Sequence, residues 1–387
     1  MTLTLEPPVT VPEGRTETTV TGVLQLSPQG HGFLRGPALL PAPEDPQVPA
    51  VQVRRHGLRT GDTVAAVLTA DPQRGRRRAV TRVELVNGQP VSTLLERPHF
   101  ADLTPLHPHE RLRMEHPGGP LTLRVTDLIA PIGKGQRGLL VAPPKCGKTV
   151  LLQQFAAAVT RNHPDSVLMV VLVDERPEEV TDLRRSVRGE VYASTFDRPA
   201  ADHIALAELA VERAKRLVEQ GRDVVLLLDS LTRLCRAHNN AAAAGGRTLS
   251  GGVDASALIG PKRLFGAARC AEEGGSLTLL ATVLVGTGSR ADEYYFEELK
   301  STGNMELRLS RELADKRLFP AVDITTSGTR REELLVPATE LTVLHGLRRA
   351  FAGRDGRSAL GTLLDRMRGT ASNTAFLRQA RPTLRGA

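Results

Sequence analysis

The sequence predicts an α/β core, a parallel sheet with crossover helices, preceded by a small all-β barrel. Three observations predict it. Short apolar runs separated by Gly and Pro fill residues 20–94. Long, nearly continuous apolar runs alternate with helical stretches from residue 125 to 387. One of those runs enters the loop "APPKCGKT" and leaves it as a helix, the order a phosphate-binding loop requires.

Composition sets the outer limits. With 387 residues, 40 % of them hydrophobic, the chain can build two or three domains with proper cores. It has no apolar run of the roughly 18 residues a membrane span needs, so no membrane association is expected. Residues 1–19 lack a basic start and an apolar core; they read as a flexible tail and not as a secretion signal. Cys146, Cys235 and Cys270 are far apart and form no CxxC pair, which argues against disulfides and structural zinc and fits a reducing cytoplasm. Lys+Arg number 51 against 43 Asp+Glu, a net +8 that fits a polyanionic partner such as nucleic acid. The same arginine excess also arises in GC-rich genomes. Aromatics are only 3 %, with no Trp, so a surface built mainly from stacking platforms is not expected.

The barrel strands read as "TGVLQL", "HGFLRG", "AVQVRR", "GDTVAAVLTA" and "RRAVTRVELV". Residues 95–124, rich in Pro and His, form a connector. His107 and His109 lie there with no cysteine nearby and read as connector residues, not metal ligands. No internal repeat is visible. Asn239 to Gly252, "NNAAAAGGRTLSGG", reads as a mobile loop.

In the core, "RGLLVA" is a strand and "TVLLQQFAAAV" a helix, with Leu151, Leu152, Phe155 and Val159 on one side. The backbone N–H groups of Lys145, Cys146, Gly147, Lys148, Thr149 and Val150 then point at nucleotide phosphates. Lys148 reaches the β- and γ-phosphates of ATP, and the Thr149 hydroxyl holds Mg²⁺. Ala142 stands where such loops usually open on glycine, but the close approach depends on Gly147. Two further apolar runs end in Asp174–Glu175–Arg176 and in Asp229–Ser230. Ligands of open parallel sheets sit at such strand ends. Asp229 is expected on the metal side, and Glu175 is expected to orient and activate the attacking water. Each acid alone also reads as a strand-end cap or a salt-bridge partner. Arg311 falls just past a short strand, where an arginine can reach a neighbouring subunit's nucleotide; Arg308 and Arg317 are equally available on this reasoning.

With these residues in view, the chain resembles the bacterial transcription termination factor Rho family from about Thr21 to the C-terminal region. The stretches that carry the likeness are "PIGKGQRGLLVAPPKCGKT", "VDERPEEVTDLRR", "GEVYASTFDRPAADH", "LLLDSLTRL", "GGVDASAL", "PKRLFGAARCAEEGGSLT" and "STGNMELRLSRELADKRLFPAVD". The loop form A-P-P-K-x-G-K-T is the one this family carries. The resemblance implies a RecA-like ATPase core behind an OB or cold-shock-like barrel, in a homohexameric ring with ATP between subunits. It implies that Lys145, Lys148 and Thr149 hold phosphate and Mg²⁺, that Glu175 is the catalytic glutamate with Arg176 beside it, and that Asp229 is the metal-side acid. It places Arg311 as the trans arginine finger, Phe319 against adenine, and Gly133, Lys134, Gly135, Gln136, Arg137 and Gly138 at the nucleotide. Arg247 and Arg290 fall on two sets of pore loops facing RNA. The implied activity is RNA-dependent ATP hydrolysis and 5′-to-3′ RNA–DNA helicase action that releases nascent transcripts from the RNA polymerase elongation complex.

The chain departs from the family in the barrel. The family pattern Gly-Phe-Gly-Phe-Leu-Arg reads here as Gly30, His31, Gly32, Phe33, Leu34 and Arg35. A family tyrosine has no counterpart near Leu39, and a further aromatic gives way to Arg76, Arg77 and Arg78. Each base stacked on an aromatic contributes about 1–3 kcal/mol, and arginine planes also stack on bases and touch phosphate. RNA binding with more salt dependence and less preference for cytosine is therefore expected. Only about twenty residues precede the barrel, so the helical bundle that often comes first in this family is not expected. Cys146 reads either as a small filler or, if exposed near the helix N-terminus, as a reactive thiol. Two other readings stay open: a rotary or secretion-type ring ATPase acting on protein, and an RNA-binding protein with a silent ATP site.

Overall fold

The computed structural model describes residues 18–69, 77–93, 97–242 and 249–384. The N-terminal tail up to residue 17, Arg76 and Arg247 lie outside these residues. The chain divides into two compact units, residues 1–36 with 41–96, and residues 37–40 with 97–387.

The first unit holds β1 (Thr18–Leu26), β2 (Gly32–Arg35), β3 (Gln47–Val48), α1 (Ala50–Arg55), β4 (Thr63–Leu68), β5 (Val80–Val86) and β6 (Gln89–Pro90). The strands pair antiparallel in the order β3-β2-β1-β4-β5-β6. A parallel bridge between Gln47 and Ala79, with the Gln47 N–H donating to Arg78 O at 2.9 Å, closes the sheet on itself. Leu24, Leu34, Val48, Val64, Ala66 and Val83 fill the interior. Alternation decides which residues those are, because successive side chains on a strand take opposite faces. One expected strand is wrong: "AVQVRR" is the helix α1. Pro49 caps its start in extended backbone and only Val53 is buried, so its alternating valines do not mark a sheet face.

The second unit begins with β7 (Pro105–Leu106), β8 (Arg111–Leu112), α2 (Leu121–Ile129), β9 (Ile132–Gly133), β10 (Arg137–Ala142), α3 (Lys148–Asn162), β11 (Val167–Glu175), α4 (Pro177–Ser186), β12 (Glu190–Thr195) and α5 (Ala200–Val218). It continues with β13 (Asp223–Asp229), α6 (Leu231–Ala241), α7 (Ile259–Phe265), β14 (Arg269–Ala271), β15 (Ser276–Leu284), α8 (Arg290–Lys300), β16 (Met305–Arg308), α9 (Arg311–Asp315), β17 (Gly328–Thr329), α10 (Ala338–Phe351), α11 (Gly356–Arg368) and α12 (Asn373–Leu384). The main sheet runs β12-β11-β13-β15-β10-β16-β17, parallel throughout except for β17. Residues expected as connector contribute edge pairings to this unit, β7 with β14 and β8 with β9.

Helices cover both faces of this sheet. Leu140, Leu172 and Leu227 pack with Leu151, Phe155 and Val159 of α3, while α5 lies against β11, β12 and β13. Burial on both faces is why these strands read as unbroken apolar runs. The sheet order puts β10 and β15 side by side and β13 next to them, so the C-terminal ends of β10, β11 and β13 converge on one edge.

Candidate active site and nucleic-acid interface

At that edge the chain leaves β10 through Pro143 and Pro144 and turns into α3. Gly147 caps α3 with φ +91° and ψ +23°, a left-handed conformation that glycine adopts without strain. An added Cβ there would meet no atom within 4 Å, so the requirement is conformational and leaves open space over the loop. The first N–H groups of α3 lack intrahelical acceptors by geometry and face that space with the positive end of the helix dipole.

Lys148 bridges the two acidic strand ends. Its Nζ lies 2.8 Å from Glu175 Oε1 and 2.6 Å from Asp229 Oδ1. Both carboxylates are 1 % exposed. Burial alone would lower the Lys148 ammonium, but Asp229 and Glu175 outweigh it and hold the group above its ordinary value. Burial pushes the Asp229 carboxyl up against the pull of Lys148. Thr282 Oγ1 donates to Asp229 Oδ1 at 2.7 Å and fixes its orientation. Glu175 Oε2 is fully buried and faces Arg233 Nη1 at 3.0 Å without a directed hydrogen bond. The Thr149 hydroxyl donates to Glu179 Oε2 at 3.1 Å, and Arg176, largely exposed, lies 3.6 Å from Glu179 Oε1.

A cavity of about 520 Å³ opens over these groups, lined among others by Lys145, Lys148, Thr149, Glu175, Arg176 and Arg233. A second of about 270 Å³ lies on the other side of the loop, lined by Thr122, Val150, Leu151, Gln154, Phe319 and Pro320. Gly147 and Val150 border both. One side offers charge for phosphates; the other offers an apolar slot with the half-exposed Phe319 ring. Cys146 is buried; burial raises its thiol, and its Sγ lies 3.6 Å from Pro144 O, so it is a packed filler. Arg311 Nη1 donates to the same Pro144 carbonyl at 2.7 Å, and its Nε pairs with Asp315 at 2.8 Å.

The segment from Gly133 to Gly138 is not brought to this cavity within the chain. It starts β10, at the end of that strand opposite the loop, and its residues are engaged in packing. Lys134 pairs with Glu110 at 2.5 Å and Asp223 at 2.7 Å. Gln136 binds Asn304 Oδ1 at 2.6 Å, and Arg137 donates to Thr302 O and Ala268 O. Gly135, at φ +85°, lets the backbone pass where a Cβ would stand 2.3 Å from Cys270 N. The glycines serve close packing there, which the sequence pattern alone does not distinguish from a nucleotide loop.

Sequence reasoning missed Arg233 and Glu179. Arg233 sits one turn into α6, whose N-cap Ser230 follows Asp229 directly, and its Nη1 donates to Asp174 O beside Glu175. Its signal was its place four residues after a strand-end Asp. Arg290 is exposed at the start of α8, beside Gly251, whose Cβ would stand 2.8 Å from Ala291 N. Asp292 in the same turn is fully buried and accepts from Arg236 of α6 at 2.5 and 2.9 Å and from Thr287 at 2.6 Å. These bonds tie the Arg290 loop to α6, the helix that follows Asp229.

In the barrel, Phe33 and Arg35 share one face of β2, while Leu34 turns into the core at 1 % exposure and presents no side chain outward. Gly32 also lies on the inner face, where a Cβ would stand 2.6 Å from Leu24 Cδ1. Arg35 is buried, with Nη1 on Asp45 Oδ2 at 2.5 Å and Nε on Gln25 Oε1 at 2.7 Å. His31 takes Ser27 Oγ at 3.0 Å and stands edge-on to Phe33 at 5.4 Å. Arg77 and Arg78 are exposed, and the Arg77 guanidinium carbon lies 5.0 Å from the Phe33 ring centre.

Comparison with known proteins places this geometry. The family "Rho termination factor, RNA-binding domain" matches residues 20–92, and "ATP synthase alpha/beta family, nucleotide-binding domain" matches residues 122–329. A relative named transcription termination factor Rho from Streptomyces coelicolor is 67 % identical over 385 residues, covering 99 % of this chain and 90 % of its own. One of the same name from Mycobacterium tuberculosis is 53 % identical, covering 95 % of this chain and 62 % of its own. Among solved structures, a type III secretion system ATPase aligns with TM-score 0.60 at 23 % identity over 73 % of this chain and 87 % of its own. At that identity it speaks for the fold alone. No helix among the described residues is long and apolar enough to cross a membrane.

Proposed function

The chain belongs to the transcription termination factor Rho family, and from that premise we propose how its own residues carry out the family's chemistry. The protein is an RNA-dependent ATP hydrolase of transcription termination. The observation that carries the residue-level reading is Lys148 held between two buried strand-end carboxylates under a helix N-terminus. A lysine bridging two acids, facing a cavity that Lys145, Arg176 and Arg233 also line, can turn its charge to a polyanion.

The residues fit ATP and Mg²⁺. The charged cavity has room for phosphates, and the apolar slot beside Phe319 takes the base. Thr149 and Asp229 are the oxygen donors suited to Mg²⁺, a hard cation that prefers such ligands. Bound Mg²⁺ would neutralise phosphate charge. The chain's own groups do the rest. Lys148 moves its charge from the carboxylates to the β- and γ-phosphates. Glu175, released from Lys148 and steadied by Arg233, accepts the proton of the attacking water. Arg311 leaves Pro144 to stabilise charge in a neighbouring copy of a homohexamer. Nascent single-stranded RNA is the polymer moved, past Arg247 and Arg290, with 5′-to-3′ helicase action on RNA–DNA hybrid and the RNA polymerase elongation complex as the target. The setting is cytoplasmic.

Steady-state ATP hydrolysis without RNA, then with poly(C), poly(U) and single-stranded DNA, tests the reading. Stimulation by RNA alone is expected. Equal rates in every condition would instead favour a protein-directed ring ATPase, and no hydrolysis at all would favour a silent site.

A further inference from the structure

Phe33 is the sole Phe, Tyr or Trp in residues 20–92, so base stacking in the barrel has one full-sized ring to use. Two guanidinium groups already lie at that ring, Arg35 at 5.2 Å and Arg77 at 5.0 Å. They are not equivalent. Arg35 is buried and its charge is matched by Asp45, which is itself 4 % exposed and also accepts the Ala42 N–H at 2.8 Å. Arg77 is exposed, and among the described residues it makes no hydrogen bond or ion pair; the Phe33 ring is what holds it.

Resting on the reading of the barrel as an RNA-binding face, we infer that Arg77 competes with RNA bases for the Phe33 ring and becomes a phosphate contact once displaced. In the free protein the guanidinium rests on the ring, where an exposed cation–π contact is weak enough to exchange. An incoming base takes the ring. The freed guanidinium, still within a side chain's reach, binds the adjacent phosphate. Affinity for every base is thereby lowered by the same factor, because each must first displace the same cation, while the charge contribution grows.

The test uses the full chain and labelled single-stranded oligocytidylate and oligouridylate across a salt series. Arg77→Ala should lose affinity about twofold at about 50 mM salt and flatten the slope of log affinity on log salt by about 0.7, one phosphate contact on a single strand. At about 0.5 M salt the same variant should bind about twofold more tightly than wild type, because the ring is free. The two lines should cross, and by the same factor for both oligomers. Adding Phe33→Ala should erase the high-salt gain. Parallel lines, with Arg77→Ala weaker by one factor at every salt, would overturn the competition, as would no change at all. If Phe33→Ala alone binds both oligomers as wild type does, the barrel is not the RNA face and the underlying reading fails. Arg77 is exposed, so its loss should leave the melting temperature in place.

Discussion

Removing Lys148 leaves Glu175 and Asp229 facing each other in a site where each is 1 % exposed. Breaking a buried charge pair from one side costs about 3–5 kcal/mol. K148A is therefore expected to lose both hydrolysis and stability, read by ATPase assay and calorimetry together. E175Q keeps the shape and relieves a charge; it should retain nucleotide affinity and the melting temperature while hydrolysis drops about 10²–10⁴-fold. An unchanged melting temperature in K148A would remove the charge-bridge account. His203 supplies a pH prediction. It is buried, its Nδ1 lies 2.7 Å from Ser194 Oγ, and burial lowers its pKa despite the nearby Asp174. A histidine depressed in the folded state contributes stability that is full above its unfolded value, near 6.5, and is lost as pH falls through the folded value. Melting curves between pH 7.5 and pH 5, roughly the range where histidine titrates, should show that loss, with a flatter profile in H203Q.

At the level of elements, the Gly-Lys-Thr loop was legible as structure because strand, loop and helix each announce themselves: an apolar run, a Gly-Lys-Thr, then apolar residues at helical spacing. The acidic ends of β11 and β13 were legible for the same reason. The helix α1 was not, since six residues with two alternating valines fit either period, and Pro49 decided the outcome. Arg233 and Glu179 were hidden because their roles depend on two helices meeting over one cavity. The glycine-rich approach to β10 is the converse case, a motif expected at the nucleotide whose residues, within one chain, serve packing. Two alanine substitutions separate these cases. G135A should destabilise by about 2–5 kcal/mol, the sum of left-handed strain and overpacking against Cys270. G147A meets no atom and should carry only the strain, about 1–2 kcal/mol, with its larger effect on nucleotide affinity. Chemical denaturation and nucleotide titration on the pair would expose any reversal.

For the whole molecule, Arg311 is the residue whose meaning changes with assembly. In the single chain it is exposed and closes on its own Pro144 carbonyl, so R311A should leave the melting temperature in place. If it acts across a subunit boundary, R311A mixed with E175Q should regain hydrolysis above either variant alone, because one neighbour supplies the glutamate and the next the arginine. A mixture that never exceeds its components would return Arg311 to its own chain. The order of strands carries one more consequence, in the time of synthesis. Unit one has all its strands by Pro90, its longest-range pairing being β1 with β4. In unit two, β10 emerges early yet pairs with β15 and β16, which end at Leu284 and Arg308. At ribosomal speeds of about 5–20 residues per second, the phosphate loop waits roughly 10–30 s for the strands that hold it in place. During that interval the growing chain has a completed barrel and an unfinished motor.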